Sequence, residues 1–130
     1  MNKKVTKGKV SNNEPEEANN VHIWLGTFNS KKELNKYAKT IEDSESHFFD
    51  DKMSLLDILY ITPADSSLAL HICKEKFPKL EKANSLLMVY GSSEKEEEFE
   101  KANLNNTNIF YIGNFDFAEE DTDSKYDAWI

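Results

Sequence analysis

Residues Val21-His22-Ile23-Trp24-Leu25-Gly26-Thr27 form an apolar, β-branched and aromatic run, and Ser30-Lys31-Lys32-Glu33-Leu34 follows almost at once. This junction constrains the fold more than any other stretch. Val21 to Thr27 suits a strand, and alternation puts Val21, Ile23 and Leu25 on one face with His22 and Trp24 on the other. Because both faces are largely apolar, the strand belongs in the middle of a sheet covered on both sides. Gly26 near its end marks a bulge or a close backbone approach. Ser30 is a helix N-cap with Glu33 three residues on, the spacing of a capping box. Phe28 and Leu34 stand near staple spacing, and Leu34, Tyr37, Ala38 and Ile41 recur at helical intervals.

The remaining chain is read more coarsely. Residues 42–51 are acidic and irregular, with Phe48 and Phe49 as anchors. Ser54-Leu55-Leu56-Asp57 has the spacing of another capping box, although Leu55–Ile61 also reads as a strand. Asp65 or Ser66 caps a further helix through Leu68, Ala69, Ile72, Cys73 and Phe77, stopped by Pro78. Ser85 to Tyr90 is a continuous apolar run closed by Gly91, hence a buried strand. Glu94 to Lys101 holds five Glu and two Lys and has room for one or two helical turns. A last strand runs from Asn108 to Phe117. Trp24-Leu25-Gly26-Thr27-Phe28-Asn29 and Tyr111-Ile112-Gly113-Asn114-Phe115-Asp116 share one pattern of residue types, as two neighbouring strands with meeting aromatics would.

These elements predict a single α+β domain over 21–117, with a small, mostly antiparallel sheet of about three strands and helices packed on it. Residues 1–20 read as a disordered N-terminal arm and 118–130 as an acidic C-terminal tail. The 130 residues suffice for one self-supporting core. The N-terminal stretch has no apolar segment of secretory type and no run approaches a membrane span, so a cytoplasmic location without membrane contact is expected.

The formal net charge is −8. Residues 1–20 hold four Lys against three Glu, leaving 12 basic and 21 acidic groups in 21–130. Such a surface repels phosphate backbones, so nucleic acid is not an expected partner, while a basic protein is. Every one of the 16 basic residues is Lys, which excludes bidentate guanidinium recognition and an arginine finger. Four isolated glycines build no phosphate loop. Cys73 is the single cysteine, so no internal disulfide staples the fold. His71-Ile72-Cys73 with His22 and His47 is half a metal motif and falls short of a zinc site, so no metal or cofactor is expected. Carboxylate pairs such as Glu42-Asp43 and Glu96–Glu98 lie in polar runs, where solvated faces are the rule and catalytic acids are not.

The Ile23-Trp24-Leu25-Gly26-x-Phe28 strand followed by Ser30-x-x-Glu33-Leu34-x-x-Tyr37 resembles the start of the immunity protein 22 family. The similarity continues more loosely through Asn84–Tyr90 and the Tyr111-Ile112-Gly113-x-Phe115 strand, about 95 residues in all. The family's small bacterial α+β proteins are thought to neutralise toxins of polymorphic or contact-dependent systems. In the middle this chain departs from the pattern, reading Phe48-Phe49-Asp50-Asp51-Lys52-Met53-Ser54 without the family's glycine-containing turn.

The resemblance implies a non-enzymatic protein that binds a cognate toxin stoichiometrically. If that toxin is basic, a nuclease for instance, Asp50, Asp51, Glu119, Glu120 and Asp121 are the residues expected to mimic phosphates across its active site. Trp129, in the charged tail, either docks back on the domain or engages the partner. A small acidic adaptor for another basic protein and a small-substrate hydrolase are the alternative readings.

Overall fold

The computed structural model describes residues 19–91, 93–103 and 108–118. The expected arm and tail lie outside these ranges except at their junctions, Asn19, Asn20 and Ala118. Strand β1 (Asn20–Gly26) is followed by α1 (Lys31–Ala38), β2 (Glu45–Ser54), α2 (Leu55–Leu59), α3 (Ser66–Lys76), β3 (Lys82–Tyr90), α4 (Glu96–Asn103) and β4 (Ile109–Asp116). The strands form one antiparallel sheet in the order β2-β3-β1-β4. The sheet therefore has four strands rather than about three. The additional one is β2, where an acidic irregular segment was expected. Its doubled Phe48-Phe49 and Asp50-Asp51 hide the alternation, yet Phe48 packs on one side of the sheet and Phe49 on the other, as a strand requires.

The central position of β1 follows from its two apolar faces. Val21, Ile23 and Leu25 join Leu86, Met88, Ile112 and Phe115 under α2 and α3, which contribute Leu55, Ile58, Leu59, Ala69 and Cys73. On the opposite face Trp24, Leu87, Ile109 and Tyr111 meet Leu34 of α1 and Phe99 of α4. The result is a helix–sheet–helix sandwich with two hydrophobic cores. The first and last strands are neighbours, Trp24 pairing with Tyr111 at a ring separation of 4.9 Å.

A bulge in β4 serves both cores. Ile23 pairs with Gly113 and Trp24 with Tyr111, so Ile112 is the extra residue. Without it Phe115 would point to the same side as Tyr111. With it Tyr111 enters one core while Ile112 and Phe115 enter the other.

Local caps fix the helix starts. Ser30 Oγ accepts from the Glu33 N–H at 3.2 Å, and the Glu33 carboxylate reaches back to the Asn29 N–H, one residue before the cap. Ser54 Oγ accepts from the Asp57 N–H, and the cap decides Leu55–Leu59 in favour of helix. Asp65 caps α3 by accepting from the N–H groups of Ser67 and Leu68. Buried Asn84 works like a piece of strand: its side chain accepts from the Phe28 N–H at 3.0 Å and donates to the Phe28 carbonyl at 2.9 Å, stitching β3 to the loop after β1. At the open edge of β4, Lys76 reaches from α3 to donate to the Ile112 carbonyl (2.9 Å) and to Glu100 of α4 (2.8 Å). The lysine covers the backbone at the bulge and ties the two helical layers together. Among the described residues no helix is long and apolar enough to cross a membrane.

Gly26 is held by a close approach of backbones, as its position suggested. A β-carbon there would fall inside the Asn108 carbonyl oxygen and the Ile109 Cα. Gly26→Ala should therefore destabilise the fold by at least about 2 kcal/mol, read as a lower urea midpoint, because rigid backbone has to move. Lys76→Met should cost about 1 kcal/mol by the same measure, and Glu100→Gln less, since it leaves the bond to Ile112 in place.

Candidate functional site: an acidic sheet edge and an aromatic cleft

Strand β2 lies at the sheet edge and pairs only with β3. Glu45 to Phe48 pair with Met88 to Ser85, and Met53 and Ser54 with Ala83 and Lys82. Residues 49–52 thus stand opposite Asn84 alone and leave the ladder. Phe49 and Met53 turn inward onto the core under α2 and α3. Asp50, Asp51 and Lys52 are exposed on the bulge. Among the described residues neither aspartate takes part in an ion pair. Nearby, His47 Nε2 lies 2.7 Å from Glu45 Oε2 at the surface. Glu119, Glu120, Asp121 and Trp129, the other residues expected to meet a partner, lie outside the described residues.

The acidic run that reads as a charged link with room for one or two helical turns is a two-turn helix in the structure. Glu96, Glu97, Glu98 and Glu100 are carried by α4, anchored through Phe99, which is 8% exposed. Phe99 meets Trp24 at 4.8 Å, His22 at 5.0 Å and Tyr111 at 5.5 Å between ring centroids. One apolar residue in a run of charges carries no periodicity, so only the folded chain reveals it. The neighbouring helix α1 bears Lys31, Lys32 and Lys36 against Glu33. It lies towards β2, and α4 lies over β4. The two acidic surfaces, the β2 bulge and α4, are therefore at opposite sides of the sheet with a basic helix between them.

Trp24 is 2% exposed and belongs to the core beneath α1 and α4. Beside it His22 Nδ1 and the Tyr111 hydroxyl share a hydrogen bond of 2.7 Å. Burial, and then Glu96 and Glu100, push the Tyr111 phenol above its ordinary range, so it stays neutral. A cleft of about 350 Å³ opens between the end of α1 and α4, with Tyr37, Glu42, Lys95 and Glu98 among its lining residues and the buried Trp24 and Phe99 at its base.

The remaining chemistry-bearing groups are scattered. His71 is on the exposed face of α3, 3.4 Å from Glu75. Cys73 is fully buried on the opposite face of the sheet from His22. Among the described residues no group of three or more His, Cys, Asp or Glu is placed to hold a metal ion. Burial pushes the Cys73 thiol up to about 11, against the lowering pull of Lys74 and Lys76. A nucleophilic thiol needs the opposite shift.

No protein-family model, curated protein or solved structure matches this chain.

The raised Cys73 value has a stability consequence. From pH 9.0 to about 11 the unfolded chain releases this proton while the folded chain keeps it, so the folded state binds more protons and loses stability as pH rises. Urea titrations across that window should show a steeper loss for the native sequence than for Cys73→Ala. Below it, the native thiol should resist alkylation until the protein unfolds.

Proposed function

We propose that this protein is an immunity-type binding protein, which neutralises a cognate bacterial toxin domain by stoichiometric occlusion and performs no turnover itself. The carrying observation is the Asp50-Asp51 pair, exposed on a bulge that leaves the ladder at the open edge of the sheet. Carboxylates placed there contribute little to folding, since they are solvated and pair with no cation of the described chain. Their value lies in contact with something else. A net charge of −8 suits a basic partner and speeds its approach. The similarity of residues 22–37 to the immunity protein 22 family points the same way.

Mechanistically, the bulge presents two adjacent carboxylates on a short rigid arc fixed at both ends by pairing with β3. A toxin whose active site binds phosphate offers lysines or arginines that such a pair satisfies, and the bound domain then blocks substrate. The edge also shields the pair from intramolecular competition, because the lysines of α1 lie on the face and Lys52 is the sole basic residue in the arc.

A protein of this kind is expected to be encoded beside its toxin, so the deciding test is co-expression with the toxin domain of a neighbouring reading frame, and a neighbourhood without one counts against the reading. Growth should be restored by the native protein. Asp50→Lys/Asp51→Lys should weaken the complex at least about tenfold at low salt and flatten its salt dependence. Rescue that ignores the reversal removes this interface and keeps the function, whereas absence of rescue removes the function.

A further inference from the structure

Among the described residues the large hydrophobic side chains left exposed are Tyr60, Ile61, Leu68, Tyr90 and Phe117, and the topology gathers all of them at one end of the molecule. Tyr90 ends β3 and Phe117 follows β4, on either side of Val21 at the start of β1, which pairs with Tyr90 and Phe115. Both continue the alternation of Met88 and Phe115, which places them on the α2–α3 side of the sheet, and their rings meet edge to face at 6.0 Å. The loop after α2 closes on them: the Pro63 carbonyl accepts from the Ala118 N–H at 2.8 Å, and Ala64 bridges to Phe117. Tyr60, 71% exposed, and Ile61 lead into that loop, and Leu68, half exposed, is in the first turn of the helix that leaves it. Apolar side chains scattered singly over a surface are ordinary, but a cluster at one end marks a contact surface.

Charge selects what covers it. No lysine occurs between Lys52 and Lys74, a stretch that includes all of α2 and the first two turns of α3, whereas Asp57 and Asp65 are exposed there. Exposed Asp116 precedes Phe117. Burial and then Glu45 raise the Tyr90 phenol, which puts Glu45 at the rim as well. We infer that this patch is the apolar centre of the partner interface, covered by apolar side chains that a basic protein presents within a ring of lysines or arginines. The inference rests on the proposed binding function and deepens it. From Asn84, opposite the Asp50-Asp51 bulge, to Tyr90 is six residues of β3, about 20 Å, so one interface of ordinary size spans both. The patch then supplies its dry centre and the bulge part of its charged rim.

Other occupants fit less well. A second copy brings the same carboxylates against its own, and residues 119–130 carry five acidic groups against one Lys. Residues 1–18 have one net positive charge but no aromatic ring, with only Met1, Val5 and Val10 as sizeable apolar groups.

The test uses the full chain labelled with ¹⁵N. Titration with n-hexylammonium should give saturable shifts at the Ile61, Leu68 and Gly91 amides, with binding about threefold or more tighter than that of n-hexanoate, which reverses the charge. Equal affinities, or shifts that are not localised, would overturn the basic character of the occupant. Tyr60→Ser/Leu68→Ser, confined to exposed positions, should leave the urea midpoint unchanged and weaken the complex with the toxin domain about tenfold or more. A toxin complex indifferent to this pair overturns the interface and leaves the function standing. If no toxin binds, the function falls and this occupant with it, while the amine titration, which needs no toxin, still reports the patch. In the free protein, shifts of the same amides on Lys3→Gln/Lys4→Gln/Lys7→Gln/Lys9→Gln, on Tyr126→Ser/Trp129→Ser, or on raising the concentration would give the patch to the chain's own ends or to a second copy, and would overturn the assignment to a partner.

Discussion

The central strand presents large side chains to both faces, and one layer of helices covers only one of them. Ile23 and Leu25 on one side and Trp24 on the other are each buried almost completely. Leaving such a residue in water forfeits about 1.5–3 kcal/mol, so neither face tolerates exposure. This condition forces two helical layers onto a sheet of four strands and sets the order of the chain. The segment between β1 and β3 supplies α1 to one face and α2 and α3 to the other, and the segment between β3 and β4 returns α4 beside α1. The single-residue bulge at Ile112 answers the same condition on the neighbouring strand, since it lets β4 feed both cores.

Two polar devices carry what apolar burial leaves undone. Asn84 replaces backbone pairing where the chain leaves β1, and stands opposite the four residues of β2 that abandon the ladder. Lys76 closes the other edge by donating to the Ile112 carbonyl at the bulge. Edges of this kind invite pairing with further strands. Here one edge is interrupted by a charged arc and the other is crossed by a lysine. The sheet therefore offers partners its side chains rather than its backbone.

What the residue pattern made legible was local. The β1–α1 junction, its cap and the two-faced burial of β1 all follow from fourteen consecutive residues, and the Trp24–Tyr111 contact follows from the shared Gly-containing pattern. Strand β2 was not legible because its outward residues are acidic and its inward ones fall in adjacent pairs, which gives no period of two. The helical state of Leu55–Leu59 is decided by the Ser54 cap and not by its apolar content, which fits either structure. Phe99 and Lys76 act through residues more than ten positions away, so their roles exist only after folding. The acidic surface was legible in part: Asp50 and Asp51 are exposed, as carboxylates in a polar run are expected to be, but that Glu96, Glu97, Glu98 and Glu100 share one helix anchored by Phe99 was not, because the run reads as a charged link.

Net charge alone describes this surface poorly. The face that carries α1 and α4 is divided, with lysines on one helix and glutamates on the other, and the aromatic cleft lies along the boundary. A uniformly acidic surface attracts a basic protein in any orientation. A divided one attracts its basic side towards α4 and repels it from α1, so the encounter is oriented before any contact forms. That division exists because burying β1 on both faces brought α1 and α4 over one face of the sheet.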